Sequence, residues 1–356
     1  MKTALLCLII TAAVSTAPAR AAGAAKKSEK AAAPAAKETA MSDEKKADML
    51  EQTLEYGIQE ERARAMGTIQ KFKDPGLRAK LAAKVISLMK DEEDPELLIK
   101  AMTVLGEMKE PSARSLMTEK LEHRSEDVRT SAVYGLKKIQ ATEAKDRLVE
   151  KLKGRDLGEN STYTSALIDA LGEFKAAEMV PFIRESLQSP KTSKTIKEEM
   201  VIFLGKVPAA ESKEILLKIY KDEAEENTLR AYAVNSLSKL GIKEAAGDIK
   251  EVMAAIDAYE SKKRKRYYTL YLYSIAALAR LGDPEAIPKL IQSLRSNSAQ
   301  VRLKAISLIK GFKDKRTIDI LKYKMKYDPN LRVQKAAKKA LEEMGVETEE
   351  KKGAKK

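Results

Sequence analysis

Cysteine is almost absent from this chain of 356 residues, with Cys7 the only one. A single thiol excludes a disulfide framework and a cysteine-based metal set. There is one histidine, His123, in Leu121-Glu122-His123-Arg124, and no tryptophan. One imidazole and one distant thiol exclude a structural zinc set and a His-based metal pair; no Ser-His-Asp arrangement is expected, and His123 could act only as a lone base. His123 is expected to be an exposed loop residue just after a helix. No GxxxxGK[ST] or GxGxxG stretch occurs, so phosphate-cradling loops of those types are excluded. Glycine and proline are scarce, at 16 and 11, and aromatics make up 5%. No segment after the first 21 residues is long and apolar enough to cross a bilayer, which takes roughly 20 residues.

What is present is helix-forming. Ala, Leu, Lys and Glu dominate, and all four lose little on entering a helix. Hydrophobic residues are 44% and charged residues 34%, enough apolar side chain to bury a core. The net charge of +14 makes acidic partners an expectation: nucleic acid, anionic lipid or an acidic protein face.

The termini differ from the body. Residues 1–21 read as a signal peptide: Lys2, an apolar run from Ala4 to Val14, then small residues with Ala19-Arg20-Ala21 among the cleavage candidates. Cys7 lies inside the run and follows Leu6, which argues against a lipidated cysteine. Residues 22–45 are rich in Ala and Lys with Pro34 and almost no large apolar side chains, so they read as a flexible tether. Residues 347–356 read as a disordered charged tail.

Between them, over 46–346, the sequence repeats. Its anchors are Ile69, Leu105, Leu136, Leu171, Leu204, Leu237, Leu278, Ile309 and Leu341, with spacings from 31 to 41. A period near 33 marks stacked supersecondary units. Four residues before each anchor lies a mostly small residue (Ala65, Ala101, Ala132, Leu167, Met200, Ala233, Ser274, Ala305, Ala337), and three residues after it an apolar one. These offsets share one helical face, and small residues there let a neighbouring helix approach closely. Asp94, Ser125, Asn160, Ser193, Ser298 and Asn330 are candidate N-caps. Turn signals such as Asp74-Pro75-Gly76 and Gly282-Asp283-Pro284 follow the anchors. Eleven or twelve residues past each anchor a second stripe begins with Leu81, Leu116, Leu148, Phe182, Leu216, Ile249, Leu290 and Leu321. The expectation is an all-α superhelical solenoid of about eight to nine helical hairpins: nine first helices, eight second helices and a cap near 46–57.

The stretches LARLGDPEAIPKLIQSL (Leu278 to Leu294) and EDVRTSAVYGLKKI (Glu126 to Ile139) resemble the HEAT-repeat family, in particular the short HEAT-like repeats of phycobilin lyases. The resemblance spans about 58–346 and implies pairing between a turn acid and a helical arginine of the next repeat: Glu110 with Arg129, and Asp283 with Arg302. Some HEAT-like relatives are iron hydroxylases with paired His-Glu motifs, a pattern from which this chain departs. Neither that activity nor lyase activity carries over, because fold and function are separable. Carboxylate pairs such as Glu198-Glu199 read as solvated helix ends.

One unit breaks the period. The spacing of 41 between Leu237 and Leu278 holds an insertion with Lys262-Lys263-Arg264-Lys265-Arg266-Tyr267-Tyr268, and five of the 12 tyrosines crowd at 259–273. Insertions in solenoids map to one face and often bind. These seven residues are the candidate partner-binding site; a solvated loop over ordinary core tyrosines is the plainer reading. The functional expectation is a non-enzymatic protein-binding scaffold of a bacterial cell envelope, exported, to the periplasm with full secretion as the alternative, without cofactor or metal. The alternative is binding of an anionic envelope polymer or lipid surface through the insertion. Export also argues against nucleic acid as the partner.

Overall fold

The computed structural model describes residues 41–312 and 314–348. The segment 1–21, the tether up to residue 40 and the tail from 349 lie outside the described residues. The described part is all helical. Helix α1 (Asp43–Tyr56) is the cap. It begins three residues earlier than the tether boundary suggested, because Asp43 and Glu44 suit a first turn and Lys46 pairs with Asp43 at 2.8 Å.

The hairpins follow in chain order: α2 (Gln59–Ile69) with α3 (Pro75–Asp91), α4 (Pro95–Glu107) with α5 (Arg114–Glu119), and α6 (Glu126–Lys138) with α7 (Lys145–Lys153). Next come α8 (Thr162–Glu173) with α9 (Val180–Gln188), α10 (Lys194–Leu204) with α11 (Ala210–Lys221), and α12 (Asn227–Lys239) with α13 (Ala246–Asp257). The short α14 (Ser261–Arg264) precedes α15 (Tyr268–Leu281), which pairs with α16 (Ala286–Ser293); α17 (Ala299–Ile309) pairs with α18 (Lys315–Tyr327), and α19 (Leu331–Glu343) closes the stack. Nine first helices and eight second helices are therefore present among the described residues, as the repeat anticipated.

Every anchor and every residue four before it is buried. On the second stripe Phe182 is only half-buried and Ile183 takes the core position, a one-residue shift in helix phase. First helices pack directly on the first helices before and after them, whereas neighbouring second helices meet much less. Glycines help set that closeness: a Cβ on Gly205 of the α10 C-cap would lie 2.8 Å from the Ser236 Cα of α12, and one on Gly106 would lie 3.3 Å from the Gly135 Cα.

The turn after a first helix has a common form. The residue four past the anchor is left-handed at Lys109, Gln140, Lys175, Gly241, Gly282 and Gly345, with φ between 52° and 95°. The following N–H then donates back to the anchor carbonyl, as from Glu110 to Leu105 (3.0 Å) and Asp283 to Leu278 (2.9 Å). This helix-ending motif satisfies a carbonyl that has no partner within the helix.

The inferred inter-repeat pairs do not form. Glu110 accepts from the Ser112 N–H and hydroxyl (3.2 and 2.6 Å), and Asp283 accepts from the Glu285 N–H (2.9 Å) and meets Lys250 at 2.7 Å. Asp74 and Asp314 act likewise on Leu77 and Arg316. The turn acid is spent capping its own second helix. The helical arginine instead serves carbonyls behind it: Arg129 donates to His123 and Arg124, and Arg302 to Ser296 and Asn297. Its carboxylate is Glu126 for Arg129 and Asp328 for Arg302.

A ladder nevertheless exists, with other members one repeat apart. Lys84 meets Glu55, Lys138 meets Glu107, Lys145 meets Glu178, Lys206 meets Glu173 and Lys310 meets Glu343, at 2.6 to 2.9 Å. Of the expected caps, Asp94, Ser193 and Asn330 accept backbone N–H groups; Ser125 and Ser298 sit at the cap without a side-chain bond, and Ser161 replaces Asn160.

Candidate functional site: a basic cleft beside the insertion

The insertion is helical, with α14 and a following 3₁₀ turn leading into α15. Lys262, Lys263, Arg264, Lys265 and Arg266 are all exposed, while Tyr267 and Tyr268 are half-buried against the core. The tyrosines form a platform. Tyr259 and Tyr267 lie with ring centroids 5.1 Å apart, the Tyr259 hydroxyl donates to Glu223 (3.0 Å), and the Lys263 ammonium sits 3.5 Å from the Tyr259 ring centroid. Asn227 donates to the Arg266 carbonyl at 3.2 Å and so ties the loop to α12.

The basic run does not act as a unit. Arg264 and Lys265 turn toward a cleft of about 680 Å³ between the insertion, the start of α15 and α16, which Tyr268 and Tyr271 also line. Lys262, Lys263, Arg266 and Tyr267 do not line it. Lys289 and Arg295 line it from α16 and the turn after it; Arg264 donates to the Asp257 carbonyl at 3.4 Å, and among the described residues none of the four cations forms an ion pair. Asp257 is the one carboxylate of the lining; it accepts from the Tyr271 hydroxyl at 2.9 Å. Burial, and then this bond, push the Tyr271 hydroxyl up to about 12, so it remains a donor at neutral pH. Lys289 and Arg295 escape sequence reasoning because each reads as an ordinary surface cation of a regular unit. Their only signal is that they follow the insertion by one helix.

A second concavity of about 520 Å³ lies between α4 and α6. Ile99, Met102 and the exposed Tyr134 line it, over Gly106 and Gly135. His123 is half-buried rather than exposed, and its Nδ1 accepts from the Ser125 N–H at 3.1 Å. Burial, with Lys120 and Arg124 nearby, holds the imidazole below its ordinary value. Glu198 and Glu199 are half-buried rather than solvated, and burial raises both carboxyls, helped by Glu226 and Asp169 respectively. Among the described residues there is no group of three or more metal-ligating side chains, and no helix is long and apolar enough to cross a membrane.

The fold defines the class, an all-α solenoid of HEAT-type hairpins. Models of HEAT repeats match residues 82–157 and 287–352, and the PBS lyase HEAT-like repeat matches 270–296, which includes Tyr271, Lys289 and Arg295 of the cleft. Among solved structures, the chain is similar to the CpcE–CpcF complex of phycocyanin lyase from Nostoc sp. PCC7120, at 17% identity over 80% of this chain and 99% of that one, TM-score 0.43. It is similar to human deoxyhypusine hydroxylase at 18% identity over 85% and 96%, TM-score 0.30. It is similar to Kap121p at 12% identity over 84% of this chain and 37% of that one, TM-score 0.43. No curated protein matches the chain in sequence.

Proposed function

We propose that the chain is a non-enzymatic scaffold of the bacterial cell envelope, exported through residues 1–21, that holds a protein partner on the solenoid surface. The observation that carries this reading is the groove between α4 and α6, where Tyr134 stands 41% exposed on a floor over Ile99, with Glu107, Asp127, Lys137 and Lys138 around it. An exposed tyrosine in such a groove is the kind of anchor on which interfaces concentrate their energy. Residues 262–268 supply a second contact. His123 serves as a backbone acceptor, in keeping with a structural rather than catalytic place. Crosslinking in intact cells, wild type beside Tyr134→Ala, tests the reading. A discrete partner lost in the variant supports it; no crosslinked partner in the wild type overturns it.

A second reading is binding of an anionic envelope polymer or lipid surface, favoured by the four unmatched cations of the cleft. Its signature is affinity that falls steeply with salt.

A further inference from the structure

The lining of the basic cleft carries more information than its charge. We propose that this cleft binds a phosphorylated sugar, with its anionic groups held by the four cations and its ring against the tyrosines. The proposal rests on the anionic-surface reading and names its ligand.

Three features support it. First, the cations come from two separate elements, Arg264 and Lys265 from the insertion, Lys289 and Arg295 from α16 and the turn after it, so the cleft can hold more than one anionic group. Each set includes an arginine, whose planar fork matches two phosphate oxygens at once. Second, the rest of the lining suits hydroxyl groups. Asp257 accepts, Ser261 and Gln292 donate or accept, and Ser293, whose hydroxyl donates to the Lys289 carbonyl at 3.0 Å, accepts. A ligand of carboxylates alone would gain little from these hydroxyl-matching groups. Third, Tyr268 and Tyr271 offer partly exposed ring surface against which a sugar ring can lie. A volume of about 680 Å³ is that of a pocket for a small ligand. Tyr271 is fixed by Asp257, so the wall is built before any ligand arrives.

The same chemistry can come from a free sugar phosphate or from a phosphorylated sugar headgroup on a lipid. The test measures binding of the full chain, at low and at raised salt, to glucose 1,6-bisphosphate, inorganic phosphate, a hexaglutamate peptide, and vesicles containing phosphatidylglycerol or phosphatidylinositol phosphate. The bisphosphate is expected to bind more tightly than inorganic phosphate and than hexaglutamate. Tighter binding to phosphatidylinositol phosphate vesicles than to the free bisphosphate would support the proposal and assign the source to lipid; the reverse would support it and assign the source to a free ligand. The paired change Lys289→Gln with Arg295→Gln should weaken bisphosphate binding by at least about tenfold. Lys71→Gln with Lys73→Gln, exposed in the turn between α2 and α3 and far along the stack from the cleft, should change it by less than about twofold. Both variants alter exposed side chains, and matching circular dichroism melts confirm that they fold.

Equal loss in the two variants would overturn the proposal, as would hexaglutamate or inorganic phosphate binding as well as the bisphosphate. Binding to phosphatidylglycerol vesicles without binding to either phosphosugar would overturn it and leave the anionic-surface reading standing. No binding to any anion would end both.

Discussion

The seams around α6 to α10 and the neighbourhood of the insertion handle positive charge in opposite ways. In the former, Lys137 and Lys206 share Asp169, Lys206 also meets Glu173, Lys138 meets Glu107 and Lys145 meets Glu178. Beside the insertion, Arg264, Lys265, Lys289 and Arg295 meet no carboxylate among the described residues. The net charge of +14 is therefore not spread evenly in effect. Along these seams cations are matched across one repeat, whereas Lys239 and Arg280 further along the first-helix layer have no ion pair among the described residues. Where the period is broken, Arg264 and Lys265 share an open cleft with Lys289 and Arg295 and none of the four forms an ion pair among the described residues.

The comparison breaks most sharply at the buried end of the matched class. Arg302 forks onto Asp328 with two bonds of 2.8 Å, and Lys324 adds a third contact at 3.2 Å. Asp328→Ala strands a buried guanidinium and should cost about 3–5 kcal/mol in urea unfolding. Burial works to raise the Asp328 carboxyl, but Arg302, the Asn330 N–H and Lys324 outweigh it and hold it below the ordinary carboxylate range. Its folded value is thus depressed relative to the unfolded chain. The stability it contributes is fully present above the unfolded carboxylate value, near pH 4, and is lost as pH falls through the lower folded value. Wild type should lose stability over that acid window, and the Asp328→Ala profile should be flatter there.

Backbone approach gives the next largest effect. Gly205→Ala places a methyl against Ser236 and should cost about 1–3 kcal/mol. Gly247→Ala in α13, with nothing within 4 Å of the new carbon, should instead gain about 0.5–1 kcal/mol. If both changes proved neutral, close packing of first helices would not be what distinguishes the two layers. The left-handed turns offer a gain of similar size. Lys175 occupies φ 52° where other repeats use glycine, and Lys175→Gly should raise the melting midpoint, by up to about 1 kcal/mol in stability.

The smallest effects test the comparison itself. Lys138→Ala removes an exposed pair with Glu107 and should cost less than about 1 kcal/mol, with a salt dependence. Lys289→Gln should leave stability within about 0.5 kcal/mol. A large destabilisation at Lys289 would mean that the cleft cations support the fold.

Much of the architecture was legible without coordinates, because burial of a helical stripe is a local rule. The offsets of minus four, zero and plus three around Leu136 or Leu204 admit one rotation of the helix, and the small residues among them announce a close neighbour. The ion pairs were not legible. Glu110 and Arg129 were offered by resemblance, but a turn acid lies nearer to its own helix's free N–H groups than to the next repeat. The ladder that does form had a signal, opposite charges about one repeat apart, as in Lys138 and Glu107. That signal is shared by many pairs that never meet. The insertion was legible as a break in period, and its cations as a run, but only Arg264 and Lys265 of that run enter the cleft.

The sequence alone determined the helical hairpin, its number of repeats and the place where the repeat fails. Those follow from the period of apolar residues and from backbone chemistry within a few positions of each other. Only the tertiary structure decided which cations are matched and which are left facing solvent. Lys289 lies over twenty residues beyond Lys265, and nothing in either side chain states that the packing of α15 on α16 brings them to one cleft. Pair energies depend on distance across the stack, and that distance is fixed by how closely first helices pack, a property of all the repeats together.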